Sequence, residues 1–162
     1  MRCRTATSSL CLLFAFGSAS AADVVDIPPA ADHVAVWVNA GMLSRHFDRS
    51  KNFRENNYGL GFETAFSEVN SAYAGYFRNS DDRESRYFGW MWKPLTLGPV
   101  RLGFVAGVFD GYQKVNKGKW FPAVLPLASI DNQKVGVNFA LVPTVGDRLH
   151  GAVVVQFKIR IW

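Results

Sequence analysis

Beyond residue 33 the apolar positions of this chain recur with a period of two. Val34, Val36, Val38, Ala40 and Met42 alternate with Trp37, Asn39 and Gly41. Tyr58, Leu60, Phe62 and Phe66 alternate with Gly59, Gly61, Glu63 and Ser67. Similar runs cover 72–79, 87–93 (ending at Pro94), 100–108, 120–130, 135–142 and 151–162. Period two belongs to a strand, whose side chains point alternately to its two faces. β-branched and aromatic residues dominate and glycines interrupt the runs, which favours strand over helix.

The connections alternate in length. Short turns fall at 68–71, 95–99 and 131–134, and longer, charged loops at 48–57, 81–86, 113–119 and 144–150. A strand tilted by about 45° needs about 9–11 residues to cross a bilayer. Eight such segments with long and short connections in alternation fit an all-β fold, an eight-stranded antiparallel up-and-down outer-membrane β-barrel over residues 34–162. Its short turns and both termini would be periplasmic. A soluble β-sandwich would show the same alternation. One feature sits awkwardly: Val153, Val155, Phe157, Ile159 and Ile161 share one parity and Trp162 the other, so the final residues must bend or turn the last aromatic inward.

The first residues shift the balance towards the barrel. Arg2 and Arg4 precede an apolar run over 10–16, and Ala19-Ser20-Ala21 fits the small-x-small cleavage rule. Residues 1–21 are expected to be a signal peptide and 22–33 a short periplasmic segment. Cys3 and Cys11 would leave with the leader, taking with them any disulfide, thiolate nucleophile or cysteine metal site. Composition adds further limits. Hydrophobic residues are 49 %, which excludes disorder, and charged residues only 19 %. No apolar run approaches the ~20 residues of a spanning helix. The net charge is +5, carried largely by loop residues such as Arg54, Lys114 and Arg148, which would face lipopolysaccharide phosphates. Nothing points to nucleic acid, and no metal-ligand spacing or cofactor motif is present.

Three polar groups fall at one rim. His46 closes the first strand, and Asn79 and Ser80 close the third. A histidine there can serve as general base and a serine as hydroxyl partner or nucleophile in acyl transfer. Asn79 can orient the imidazole or donate to an oxyanion. All three can equally be ordinary rim residues. Pro122 and Pro126 lie inside the sixth strand and Pro143 ends the seventh. Proline cannot donate to a ladder, so these positions imply gaps in a closed wall, wide enough in principle for a lipid chain to pass sideways. Strand termination is the alternative, and it suits Pro143 better than Pro126. The interior parity of the fifth and sixth strands is apolar and small, matching a narrow slot for one slim ligand or a side-chain-packed interior.

These residues resemble a known family, the lipid A palmitoyltransferases of the outer membrane (PagP). Residues 54–62 (RENNYGLGF) resemble its first-loop Asn-Glu and glycine-rich strand, and 76–80 (YFRNS) the strand ending in its Asp-Ser pair. Residues 89–95 (GWMWKPL) are similar to its Gly-Trp and Trp-Arg-Pro-Leu, and 122–130 (PAVLPLASI) to its proline-marked strand. The resemblance implies an eight-stranded barrel with an apolar slot and lipid access through proline-marked gaps. The implied activity moves a palmitoyl chain from a phospholipid donor to lipid A, without a cofactor and as a monomer among outer-membrane lipids. It maps the family's catalytic His and Ser onto His46 and Ser80, with Asn79 where the family has Asp. Pro122, Pro126, Pro143 and Gly89 map to the acyl-binding slot, Gly89 as its floor. The first loop is shorter than the family's, and 22–33 has no match to its N-terminal helix. A lipid A deacylase using the same His and Ser, and a structural barrel without a site, are the competing readings.

Overall fold

A computed structural model describes residues 34–162, so the expected signal peptide (1–21) and the expected 22–33 segment lie outside the described residues. The fold is a closed antiparallel barrel of eight strands, two of them broken, giving ten segments. These are β1 (Ala35–Asn39), β2 (Met42–His46), β3 (Asn56–Asn57), β4 (Gly59–Ala65), β5 (Asn70–Arg78), β6 (Glu84–Leu97), β7 (Val100–Phe109), β8 (Phe121–Asp131), β9 (Val135–Val142) and β10 (Ala152–Arg160). No helix among them is long and apolar enough to cross a membrane.

The first strand closes the wall. β1 pairs with β4 on one side and with β10 on the other, and β2 continues along β10 and β3. The break between β1 and β2 is a bulge at Ala40-Gly41. Asn39 pairs with Lys158 but Leu43 with Val155, so the first strand carries one extra residue there. Gly41 has φ +83°, and a Cβ on it would lie 2.6 Å from the Asn57 carbonyl oxygen. Only glycine fits that turn of the chain. Tyr58 marks the matching irregularity between β3 and β4.

Several strand boundaries differ from the sequence reading, and β6 already starts at Glu84 rather than at 87. Pro94 does not end its strand: β6 runs on to Leu97, with a register shift between Trp92 and Leu95. A bulge is where a sheet tolerates a residue that cannot donate. The third strand begins two residues earlier than expected, at Asn70, because the preceding turn is tight, with the Ser67 hydroxyl accepting the amides of Val69 and Asn70. β10 ends at Arg160, and the chain then leaves the strand line. The Ile161 and Trp162 amides both reach the Val36 carbonyl, and Trp162 is exposed, so the chain bends rather than turning its last aromatic inward.

The wall is apolar outside. Leu60, Phe62, Tyr76, Phe88, Trp90, Phe104, Val124, Phe157 and Ile159 are all exposed. Phe66 stacks on Trp90, and Phe88 packs edge-on against Trp120. The inside divides in two. Its lower half, towards the short turns, is polar. The Glu63 carboxylate accepts from Lys158 Nζ at 2.9 Å, Lys93 Nζ at 3.3 Å and Asn138 Nδ2 at 3.3 Å. Lys158 also pairs with Asp131 at 3.1 Å and lies 4.7 Å over the Trp37 ring. The side chains of Glu63 and Lys158 are both 0 % exposed. The upper half is a hydrophobic cluster of Tyr73, Phe77, Tyr87, Met91, Val105 and Leu127.

Removing one partner from such a network leaves uncompensated buried charge, which typically costs about 3–5 kcal/mol. Glu63→Ala strands Lys93 and leaves Lys158 with Asp131 alone, so it should lower barrel stability by about that amount in urea unfolding of the micelle-refolded protein. An unfolding midpoint equal to that of the wild type would contradict this role.

Candidate functional site

The apolar upper half is hollow. A cavity of about 150 Å³ runs down the barrel axis from the long-loop end. Phe77, Val105, Phe109, Leu125 and Ala140 form its walls, and Tyr73, Tyr87, Met91, Leu127, Asn138 and Gln156 close it below. The two tyrosines are seated by glycines. The Tyr73 hydroxyl lies 2.4 Å from where a Cβ on Gly107 would stand. The Tyr87 ring turns the other way, its hydroxyl filling the space left by Gly61 and Gly75. Their ring centroids are 5.5 Å apart, so together they form a floor above the Glu63 network.

At the mouth the cavity is lined by His46, Phe53, Ser80, Asp81, Tyr112, Lys114, Arg148 and His150. The fold therefore brings His46 and Ser80 to one opening, as the sequence reading expected. His46 ends β2 opposite Ala152, and its ring is 8 % exposed. Phe53 lies between two imidazoles, 4.6 Å from the His46 ring and 4.9 Å from that of His150. The Nδ1 of His46 is buried without a hydrogen-bond partner. Lys51 Nζ lies 3.3 Å from His150 Nε2, which accepts from it.

Asn79 departs from its expected place. It is 0 % exposed and does not line the cavity. Its side-chain oxygen accepts the amides of Asp81 and Arg83, both at 3.0 Å, and its nitrogen donates to Ser85 Oγ at 2.9 Å and to the Gly111 carbonyl at 3.2 Å. Every bonding position of the amide is used in folding the β5–β6 turn, a local role typical of asparagine. None is left to hold His46 or an oxyanion. Gly89 is also displaced from its expected role as the floor of the slot. It points inward beneath the Tyr73 ring, whose Cε1 is 2.9 Å from where a Cβ would stand, and 2.2 Å from the Ala106 carbonyl oxygen by the same measure. Gly75 and Gly103 are likewise blocked, by Tyr87 and by the backbone of Trp92. The expected open floor glycine is replaced by aromatic rings resting on glycine seats. The polar base was also missed, although Glu63, Lys93 and Lys158 all lie on inward parity.

The prolines lie where the wall opens. β8 pairs with β7 along its full length, Val100↔Ile130 to Phe109↔Phe121, but with β9 only from Leu127 to Asp131. Over 121–126 the β9 side of β8 has no ladder. Pro122 and Pro126 share a parity, so their missing amide donors face the same side. With the β7 ladder intact, that side is the β9 side. Pro143 follows the end of β9 on the facing edge. None of the three lines the cavity; they border an opening through which it can meet whatever surrounds the barrel.

The first long loop is strapped across the mouth. The Arg54 amide donates to the Ser80 carbonyl at 3.2 Å, and the Arg54 side chain pairs with Asp82, which also holds Arg78 at 2.9 Å. Hydrogen bonds from Arg78 and then Arg54 hold the Asp82 carboxyl below the usual carboxylate range. The strap is thus intact at neutral pH and is lost only as pH falls through that lowered value. Among the described residues no group of histidine and carboxylate side chains could hold a metal ion. Compared with known proteins, the chain matches no family model and no curated sequence.

Asp82→Asn removes the charge that holds this strap. The 47–55 loop should then be cut faster by trypsin, at Lys51 or Arg54, by several-fold at neutral pH. Cleavage at the wild-type rate would show that the ion pairs do not secure the loop.

Proposed function

We propose that this barrel is an outer-membrane acyltransferase that moves a palmitoyl or similar chain from a glycerophospholipid to lipid A. The observation that carries the reading is the combination of a blind apolar slot, a histidine and a serine at its mouth, and a side opening bordered by prolines. The apolar belt supports the membrane location: a patch of this extent on a water-soluble monomer would invite aggregation, whereas a lipid-facing wall requires it. A structural barrel needs neither the slot nor the opening.

In this reading the donor's acyl chain leaves the bilayer between β8 and β9 and lies in the slot, with its ester at the mouth. Lys114 and Arg148 follow β7 and β9, flank the outer end of that opening and have no carboxylate partner among the described residues. They suit the phosphates of donor and acceptor. The His46 ring accepts the proton of a lipid A hydroxyl as its oxygen attacks the ester carbonyl. The tetrahedral intermediate collapses, its C–O bond to the donor glycerol breaks, and the departing alkoxide takes the proton from His46. No net proton is consumed. Ser80 polarises the ester from the same rim.

The test is mass spectrometry of lipid A from cells with and without the gene. Gain of one palmitoyl mass supports transfer, loss of an acyl chain identifies deacylation, and an unchanged profile contradicts both. His46→Ala or Ser80→Ala should abolish the gain while leaving the heat-resistant folded barrel; full activity in both would overturn the site.

Slot depth should set chain length. Met91→Ala opens space at the floor, and each additional CH₂ buried contributes about 0.8 kcal/mol. Competition between donors of different length should shift towards longer chains. Gly89→Met should instead collide with Tyr73 and the β7 backbone and destabilise the barrel. Unchanged preference in Met91→Ala would mean that the slot does not hold the chain.

A further inference from the structure

The mouth holds a carboxylate that the catalytic reading does not use. Among the described residues Asp81 is the one acidic residue lining the cavity, and it shares that lining with His46, Ser80 and Tyr112. Its placement is fixed from below. The buried Asn79 side chain accepts the Asp81 amide at 3.0 Å, and two further bonds from Asn79 anchor it to Ser85 and Gly111. The turn that hides Asn79 therefore presents the side chain two residues on to the mouth.

Two other carboxylates near the mouth are engaged in ion pairs. Glu55 is paired with Arg45 at 3.0 Å, and Asp82 with Arg54 and Arg78. Asp81 has no basic partner within ion-pair distance among the described residues. The carboxylates whose field reaches the His46 ring are Glu55 and Asp81. Lys51 holds His150 by its Nε2, and Lys114 and Arg148 lie further round the same rim. Burial and the Asp81 charge together push the Tyr112 hydroxyl upward, which places Asp81 close to the far wall as well.

We infer that Asp81, held in place by Asn79, supplies the negative charge that stabilises His46 as an imidazolium during acyl transfer. The inference rests on the acyl-transfer reading. His46 becomes positive when it takes the acceptor's proton and neutral again when the leaving alkoxide recovers it. A carboxylate at the same mouth lowers the energy of the charged intermediate. Asp81 is thus a supporting residue that acts through His46. The turn divides the work between two neighbouring residues: Asn79 builds it, and Asp81 carries the charge.

The experiment measures transfer from palmitoyl-bearing phosphatidylcholine to lipid A in detergent micelles by the full-length barrel, as a function of pH. Asp81→Asn should lower kcat about tenfold with the donor KM within twofold, and Asp81→Glu should recover most of the rate. The acid limb of kcat should move to lower pH in Asp81→Asn, because an imidazole without its counter-charge protonates less readily. Folding is checked by heat-dependent electrophoretic mobility. An Asp81→Asn variant with wild-type kcat and an unmoved acid limb overturns the inference. His46→Ala separates the two levels: if it abolishes transfer in that case, only the Asp81 role falls, and if it too is fully active, the acyl-transfer reading falls with it.

Discussion

A β-sheet can stand in an apolar surrounding only if its backbone donors and acceptors are paired around a closed ring. Here that closure is made by β1 pairing with β10, and it requires a one-residue bulge at Ala40-Gly41 to bring β2 along the same neighbour. Among the described strands, the stretch over 121–126 where β8 runs without β9 is therefore significant. Two prolines of one parity remove two of the donors that would otherwise be left unsatisfied there. Each open donor at that point would be costly, and the prolines leave fewer of them.

Inside the ring the second constraint is the division of the core. Glu63, Lys93, Lys158 and Asp131 satisfy one another below. The aromatic and aliphatic side chains above them leave a hollow instead of closing over it. The boundary is a pair of tyrosines that can lie across the barrel only because glycines on the facing strands give up their side chains. The polar base blocks the lower end, so the hollow opens at the mouth and through the side. A blind apolar slot with these two openings is suited to a chain-shaped ligand whose polar end stays at the rim.

Much of this architecture was legible in the chain. Strand number, antiparallel order, loop alternation and the placing of Pro122 and Pro126 follow from period two and from what proline cannot do. His46 and Ser80 were legible as rim residues because strand ends are readable from turn chemistry. The rest depends on neighbours that period alone does not specify. Asn79 looked like a site residue because it precedes Ser80, but which way an asparagine's bonds run depends on the turn that folds around it. Gly89 looked like an open floor because glycine leaves space, and Tyr73, from the adjacent strand, fills it. The inward parity of Glu63, Lys93 and Lys158 could have revealed the polar base. Their pairing needs the barrel register, which brings β4, β6 and β10 to one level.

The central claim is that the slot receives a lipid chain from the side of the barrel. It is tested most directly with a phospholipid carrying a photoreactive diazirine at the end of its acyl chain, bound to the purified barrel in micelles and irradiated. The account predicts that the label attaches to floor residues, chiefly Tyr73, Met91 and Leu127, and that attachment is lost when β8 and β9 are joined by a disulfide across the opening. Labelling confined to the outward-facing Phe104, Val124 and Phe157, and unaffected by that bridge, would contradict it.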